Sequence, residues 1–148
     1  MLDNFGMTSL FFDLVPKDQV ANLRWRIACR ERAISDSRFR DALWQACMED
    51  ICFFCSFALW VYEPRSKHKR KPMIPWSHQV PVLLAMNETI DEAMATESPV
   101  SLTLKKSRAQ GGTYCYLAVT MQRALREAGF TVGLVTRNES LVDSKVDD

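Results

Sequence analysis

The sequence predicts an α/β fold in which a helical first half is followed by a single βαβ unit with an incomplete parallel sheet. One-sided apolar stripes at three-to-four spacing run through the first half, as is typical of helices that pack on a core. In the second half, a strand pattern, a glycine-containing loop, a helix and a second strand follow one another. Strands connected through a helix in this way are parallel.

Composition places the chain among globular proteins of about one domain. Of its 148 residues, 47% are hydrophobic and 25% are charged, and 19 Lys and Arg against 18 Asp and Glu give a net charge of +1. This balance excludes uniformly basic, histone-like binders and strongly acidic mimics. Because there is no 18-residue apolar run and no basic leader before an apolar segment, we expect an intracellular, soluble protein with no membrane partner.

Five cysteines, an odd number without a secretory signal, indicate reduced thiols. Cys52 and Cys55 have the spacing of half a zinc site, but no second Cys/His pair follows at zinc-finger spacing. Since both lie in an apolar segment, we interpret them as small, buried core residues and not as metal ligands.

The first predicted helix covers residues 18–33 and carries Val20, Leu23 and Ile27 on one face. Arginines in this helix and the next alternate with apolar and acidic residues. They suit a solvated face or, alternatively, contacts to DNA phosphates: Arg24, Arg26, Arg30, Arg32, Arg38 and Arg40.

The second predicted helix begins at Ser35 and Asp36, which are suitable N-caps. Its apolar stripe consists of Phe39, Ala42, Leu43, Ala46, Cys47, Ile51 and Phe54. The stripe continues into residues 57–62, which we expect to finish as a short strand. Glu63-Pro64 ends it, because a residue before proline disfavours helix.

A basic loop follows at residues 65–71, RSKHKRK, with five Lys and Arg and His68. It suits a solvated turn or a salt-dependent contact to a phosphate backbone. After it, residues 80–95 predict a helix with Pro81 in the first turn, where proline is tolerated.

The predicted βαβ unit has strands at residues 100–104 and 130–135 and a helix at 113–128. The apolar face of that helix contains Leu117, Ala118, Met121, Ala124, Leu125 and Ala128. Gly129 is placed to end it.

The loop before this helix reads KSRAQGGT and lies where phosphate-binding loops occur, between a strand and a helix N-terminus. Against the pattern G-x-x-x-x-G-K-[ST], Gly111 and Thr113 match, while Lys106 takes the place of the first glycine and Gly112 that of the lysine. A lysine at the start of the loop can lie across the phosphates, Thr113 can hold Mg²⁺, and Arg108 can reach a γ-phosphate oxygen. A Gly-Gly turn before a helix-capping threonine is also a common structural connection, so the loop alone leaves both interpretations open.

Other motifs accompany this loop. PWSHQ places Gln79 in a P-[WYF]-x-x-Q context, residues 135–143 are similar to S-R-[KN]-E-x-x-V-D with Thr136 replacing the serine, and WVYEPR at 60–65 is similar to W-x-Y-[DN]-P-R. The loop itself fits K-S-R-x-x-G-x-[ST]-[WY] at Lys106, Ser107, Arg108, Gly111, Thr113 and Tyr114. Over residues 41–143 the chain thus resembles the large terminase subunits of tailed bacteriophages, the motors that package DNA into proheads.

The resemblance implies an ATPase of the additional-strand P-loop class. Gln79 would recognise adenine, Thr113 would bind Mg²⁺, and Lys106 with the loop backbone would hold the β- and γ-phosphates. Arg108 would sense or stabilise the γ-phosphate, so Lys106 and Arg108 are the catalytic candidates. The implied ATP-binding set is Gln79, Lys106, Ser107, Arg108, Ala109, Gln110, Gly111, Gly112 and Thr113.

The resemblance also implies the domain organisation and the partners. Residues 1–72 would be a helical lid and attachment region, and residues 73–148 the start of the ATPase domain. No apolar run ending in Asp-Glu follows Thr113, so we expect a chain that stops before the Walker B strand and the nuclease, and that is inactive alone. The implied partners are double-stranded DNA, the portal protein, the small terminase subunit and further full-length copies in a ring, in the host cytoplasm.

Two other function classes stay open. One is a non-catalytic module that binds a nucleotide or a partner through the loop, for which weak, Mg²⁺-independent ATP binding would be the sign. The other is a DNA-binding helical module built on the arginines and the 65–71 loop. A salt-dependent affinity for DNA that survives Lys106→Ala would favour it.

Overall fold

Five α-helices and one β-hairpin make up the part of the chain that the computed structural model describes, residues 11–105 and 111–133. A short 3-10 helix at Phe12–Leu14 comes first. The elements that follow are α1 (Gln19–Ser35), α2 (Ser37–Glu49), α3 (Ile51–Ala58), β1 (Trp60–Tyr62), β2 (Arg70–Pro72), α4 (Val80–Thr96) and α5 (Gly112–Arg126).

The short helix α3 forms the centre of the core. Its residues from Ile51 to Ser56 are all buried, and it packs against α2, α4 and α5. The buried positions of the predicted apolar stripe, among them Cys47 and Phe54, face this core as expected. Cys52 and Cys55 are fully buried, which confirms their interpretation as core residues.

Asp50 divides the predicted second helix into α2 and α3. Its Oδ1 accepts hydrogen bonds from the backbone N–H groups of Cys52 (2.9 Å) and Phe53 (3.0 Å), which caps α3. Its Oδ2 accepts from the N–H groups of Phe11 (2.7 Å) and Phe12 (3.1 Å). One buried carboxylate therefore starts a helix and anchors the preceding segment. The apolar stripe gives no sign of this break, because it continues on the same side through Asp50.

Helix α1 is capped by Asp18 and packs on the core with two polar side chains beside Trp25. Asn22 and Arg26 are buried, and Arg26 Nε donates to Ser56 O at 2.7 Å, at the carboxyl end of α3. Terminal carbonyls of a helix lack intrahelical donors, and a cation there is favoured by the helix dipole. The apolar face made of Val20, Leu23 and Ile27 is correspondingly exposed.

Helix α5 also turns polar side chains towards the core. Gln122 and Arg123 are fully buried, while Met121 and Leu125 of the predicted apolar face are about half exposed. Gln122 Nε2 donates to Cys47 O at 2.6 Å, which fixes α5 against α2. The expected apolar face is therefore only partly correct, because hydrogen-bonded polar side chains set the rotation of the helix.

Arg123 joins α4 to α5. Its guanidinium donates to Asn87 Oδ1 (2.8 Å), Asp91 Oδ1 (2.6 Å) and Glu127 Oε1 (2.8 Å). Burial lowers the pKa of Arg123, but the hydrogen bonds to Asp91 and Glu127 outweigh it and leave the pKa raised. The guanidinium is thus a permanently charged clamp between the two helices.

The sheet differs from the predicted one. The strand at Trp60–Tyr62 is confirmed, but it pairs with Arg70–Pro72 as an antiparallel hairpin. Within the described residues, neither 100–104 nor 130–133 forms a strand, so the predicted parallel sheet is wrong there. Residues 101–105 are exposed, and two isolated parallel strands would leave both sheet edges unpaired. The remainder of the second predicted strand, 134–135, lies outside the described residues.

In the ranges that the structure describes, no helix is long and apolar enough to cross a membrane.

Candidate nucleotide-binding site

Gln79 lies at the start of α4, in a tight turn that its own side chain closes. The backbone N–H of Trp76 donates to Gln79 Oε1 at 3.0 Å, and the N–H of Gln79 donates to Trp76 O at 2.8 Å. The side chain is only 8% exposed. Pro75 and Pro81 flank the turn, so the amide is held in one place by the local sequence.

Gly111 lies directly beside this amide. Its backbone is in the left-handed region, φ +71°, and a Cβ built there would overlap Gln79 Nε2. Only glycine adopts this conformation without strain and allows so close an approach. The structure therefore brings together two of the residues that the sequence assigned to one site, Gln79 and Gly111.

Gly112 and Thr113 form the first turn of α5, with Gly111 as its N-cap. Gly112 and Thr113 are half-buried, and the first turn of α5 contains no acidic residue. The first N–H groups of a helix have no intrahelical acceptor and carry partial positive charge. Such a start is suited to an anion, and the hydroxyl of Thr113 is placed in the same turn.

The other predicted site residues are not among those described. Lys106, Ser107, Arg108, Ala109 and Gln110 fall in the gap between the two described ranges. The neighbouring Lys105 is described and exposed. The 135–143 motif likewise lies beyond residue 133.

Tyr114 connects the start of α5 to the hairpin. Its hydroxyl is 3.3 Å from the backbone N of Tyr62, which donates to it, and 3.5 Å from Tyr62 O. The sequence placed Tyr114 in the loop motif but assigned it no contact. Its partner is distant in sequence, so no local pattern could have indicated it.

Burial shifts the pKa values of Arg26 and of several thiols in the helical core. Burial, with Arg30 nearby, lowers the pKa of Arg26 to about 10. Burial raises the pKa of Cys47 to about 12 and raises those of Cys55 and Cys115. These thiols are held in the protonated form, which is a poor nucleophile and a poor metal ligand. Within the described ranges, no group of three or more His, Cys, Asp or Glu could hold a metal ion.

Sequence reasoning missed the buried arginines. It grouped Arg26 with the solvated or DNA-contacting arginines and gave Arg123 no role. The three-dimensional positions of carbonyls on α3, of Asp91 on α4 and of Glu127 at the C-cap of α5 distinguish them from the exposed arginines. Residue type and spacing carried no signal of this difference.

Comparison with known proteins identifies no relative. The chain matches no protein-family model, no curated protein and no solved structure at a significant level.

Proposed function

We propose that the protein binds ATP at the start of α5, as the N-terminal part of a large-terminase-like motor that packages double-stranded DNA. The observation that carries the proposal is the contact between Gln79 and Gly111. The motif resemblance assigns these residues to the adenine and the phosphates of one nucleotide, and they lie side by side.

Three features of the described residues support a nucleotide there. The amide of Gln79 is a donor and acceptor group, as recognition of an adenine edge requires. Gly111 and Gly112 let the backbone approach a phosphate closely, and the N-terminus of α5 favours an anion. The Thr113 hydroxyl lies in that same turn, where the resemblance assigns the Mg²⁺ ligand.

Lys106 and Arg108 complete the proposed site. Lys106 would neutralise the β- and γ-phosphates and Arg108 the γ-phosphate. Sequence places both within eight residues of Thr113. In the motor, the portal protein, the small subunit and double-stranded DNA would be the partners of the full-length protein.

A non-catalytic nucleotide-binding module is the second candidate. The observation that favours it is the architecture of the described residues, which is helical with one antiparallel hairpin. ATP binding without dependence on Mg²⁺ would select this function over that of a motor.

The test is calorimetric titration of the purified chain with ATP, with and without Mg²⁺. We expect Lys106→Ala to abolish binding and the matched control Lys105→Ala to leave it largely intact. We expect Gln79→Ala to reduce the preference for ATP over GTP, because the adenine-reading amide is lost. Equal losses from Lys105→Ala and Lys106→Ala would refute the lysine assignment, and no binding by the wild type would refute the site.

A further inference from the structure

We infer that the β1–β2 hairpin is a binding surface for single-stranded nucleic acid, with Tyr62 and Trp60 as base-stacking platforms. This surface is separate from the proposed nucleotide site, and the inference does not rest on that site.

The hairpin register puts the two rings on one face. Trp60 pairs with Pro72 and Tyr62 pairs with Arg70, and directly opposed residues of an antiparallel pair lie on the same side. Trp60 and Tyr62, two residues apart on one strand, are therefore neighbours on that face. Both are partly exposed, at 43% and 44%.

The rings border a depression of about 460 Å³ lined by Trp60, Val61, Tyr62 and Arg70. The buried guanidinium of Arg26 lies 5.1 Å from the centre of the Trp60 ring. Arg26 therefore contacts one face of the indole, while Trp60 remains 43% exposed. A ring that a cation holds in place and that remains partly exposed to solvent is a suitable platform for base stacking.

Cations surround this aromatic face. Between Trp60 and Pro72 the chain carries five Lys and Arg and a single carboxylate, that of Glu63. The exposed ones are Arg65, Lys67, Lys69 and Arg70. An apolar protein partner would leave these charges unpaired, whereas a phosphate backbone complements them.

Open rings flanked by cations favour a single strand over a duplex. Bases of a duplex are stacked on one another and are not available to side chains, whereas unpaired bases stack on aromatic rings irrespective of sequence. A purely electrostatic surface would need no exposed rings. On the hairpin, two exposed rings on one face lie beside four exposed cations.

The first test measures fluorescence anisotropy of a labelled oligothymidylate of about 16 nucleotides, against a duplex of the same length. We expect the full chain to bind the single strand more tightly than the duplex. Tyr62→Ala should weaken binding at least about tenfold, since one stacking platform is lost. Tyr62→Phe keeps the ring and should bind like the wild type, as should Trp44→Ala, which removes an exposed tryptophan of α2.

The second test uses salt dependence and does not need the rings to be altered. Affinity falls as salt rises, and for single strands each phosphate contact makes the slope of log affinity against log salt concentration more negative by about 0.7. Lys67→Gln with Lys69→Gln should therefore make this slope shallower by about 1.4. Arg38→Gln with Arg40→Gln, exposed arginines of α2, should leave it unchanged.

Three results would overturn the inference: no binding by the wild type, wild-type affinity in a folded Tyr62→Ala variant, or equal slopes in the two charge variants. Lys106→Ala should retain oligonucleotide binding. Tyr62→Ala should retain ATP binding, because Tyr114 contacts only the main chain of residue 62. Failure of either site is thus distinguishable from failure of the other.

Discussion

The side-chain amide of Gln79 occupies the space that a Cβ of Gly111 would need. These residues start two different helices, α4 and α5, and their contact fixes the distance between the helix starts. The tight turn at Trp76 holds the amide, so an added side chain at Gly111 would have to displace a hydrogen-bonded group.

Gly111→Ala should therefore be more destabilising than a change at a glycine with the same conformation but open surroundings. Gly129 is that control, with φ +80° and nothing within 4 Å of the position that a Cβ would take. We expect Gly129→Ala to lower the free energy of unfolding by about 1 kcal/mol through backbone strain alone. Gly111→Ala should lower it by about 2–3 kcal/mol, since Gln79 must also move. Urea unfolding measures the free energy of unfolding of both variants. Equal losses would show that the Gln79 amide does not restrict the residue at position 111.

Asp50→Ala should be among the most destabilising changes in the chain. Four backbone N–H groups lose their acceptor, two of them at the start of α3 and two at Phe11 and Phe12. We expect a loss of about 3 kcal/mol in the free energy of unfolding. Asp36→Ala removes a single cap bond at α2 and should lower it by about 1 kcal/mol. Similar losses in the two variants would contradict the double role of Asp50.

Arg26→Met should destabilise the protein even though it replaces a buried cation by an apolar side chain. The carbonyl of Ser56 and Oδ1 of Asn22 would lose their donor in a buried site. We expect a loss of about 2–3 kcal/mol by chemical denaturation. Arg24→Met, on the exposed side of the same helix, should stay within about 0.5 kcal/mol of the wild type. A neutral Arg26→Met would mean that these hydrogen bonds are not required.

Alkaline pH should unfold the protein through its buried thiols. Burial, with a contribution from Asp50, raises the pKa of Cys47 to about 12, above its usual value of 9.0. Between these values the unfolded chain loses the proton and the folded chain keeps it, so the folded state binds more protons and stability falls as pH rises. We expect the free energy of unfolding to decline from pH 9 towards pH 12, and more gently in Cys47→Ala. A flat profile in the wild type would contradict the protonated state of this thiol.

Local rules predicted the helices and several of their ends. Asp36, one of the two predicted caps of the second helix, is an N-cap because a short carboxylate can reach the N–H groups of the first turn, and this needs only neighbouring residues. The strand Trp60–Tyr62 ends just before Glu63-Pro64, and proline has no backbone N–H to continue a ladder. The break between α2 and α3 was not predicted, because Asp50 caps a new helix in the middle of a continuous apolar stripe.

Apolar periodicity did not predict which side of α1 and of α5 faces the core. Arg26 and Arg123 are buried because acceptors from distant segments meet them, and such acceptors are invisible in a single stretch of sequence. For the candidate site, the family resemblance assigned Gln79 and Gly111 to one nucleotide, and these two residues lie side by side in the structure. The expected parallel strands failed, because strand pairing depends on partners elsewhere in the chain and residues 101–105 have none among those described.

The polar anchoring of α1 has a consequence for how this sequence tolerates change. In most amphipathic helices, apolar positions resist substitution and polar positions accept it. Here Val20 and Ile27 lie in solvent, whereas Asn22 and Arg26 share the packing with Trp25. A saturation scan of α1 would therefore find the apolar positions 20 and 27 tolerant and the polar positions 22 and 26 intolerant.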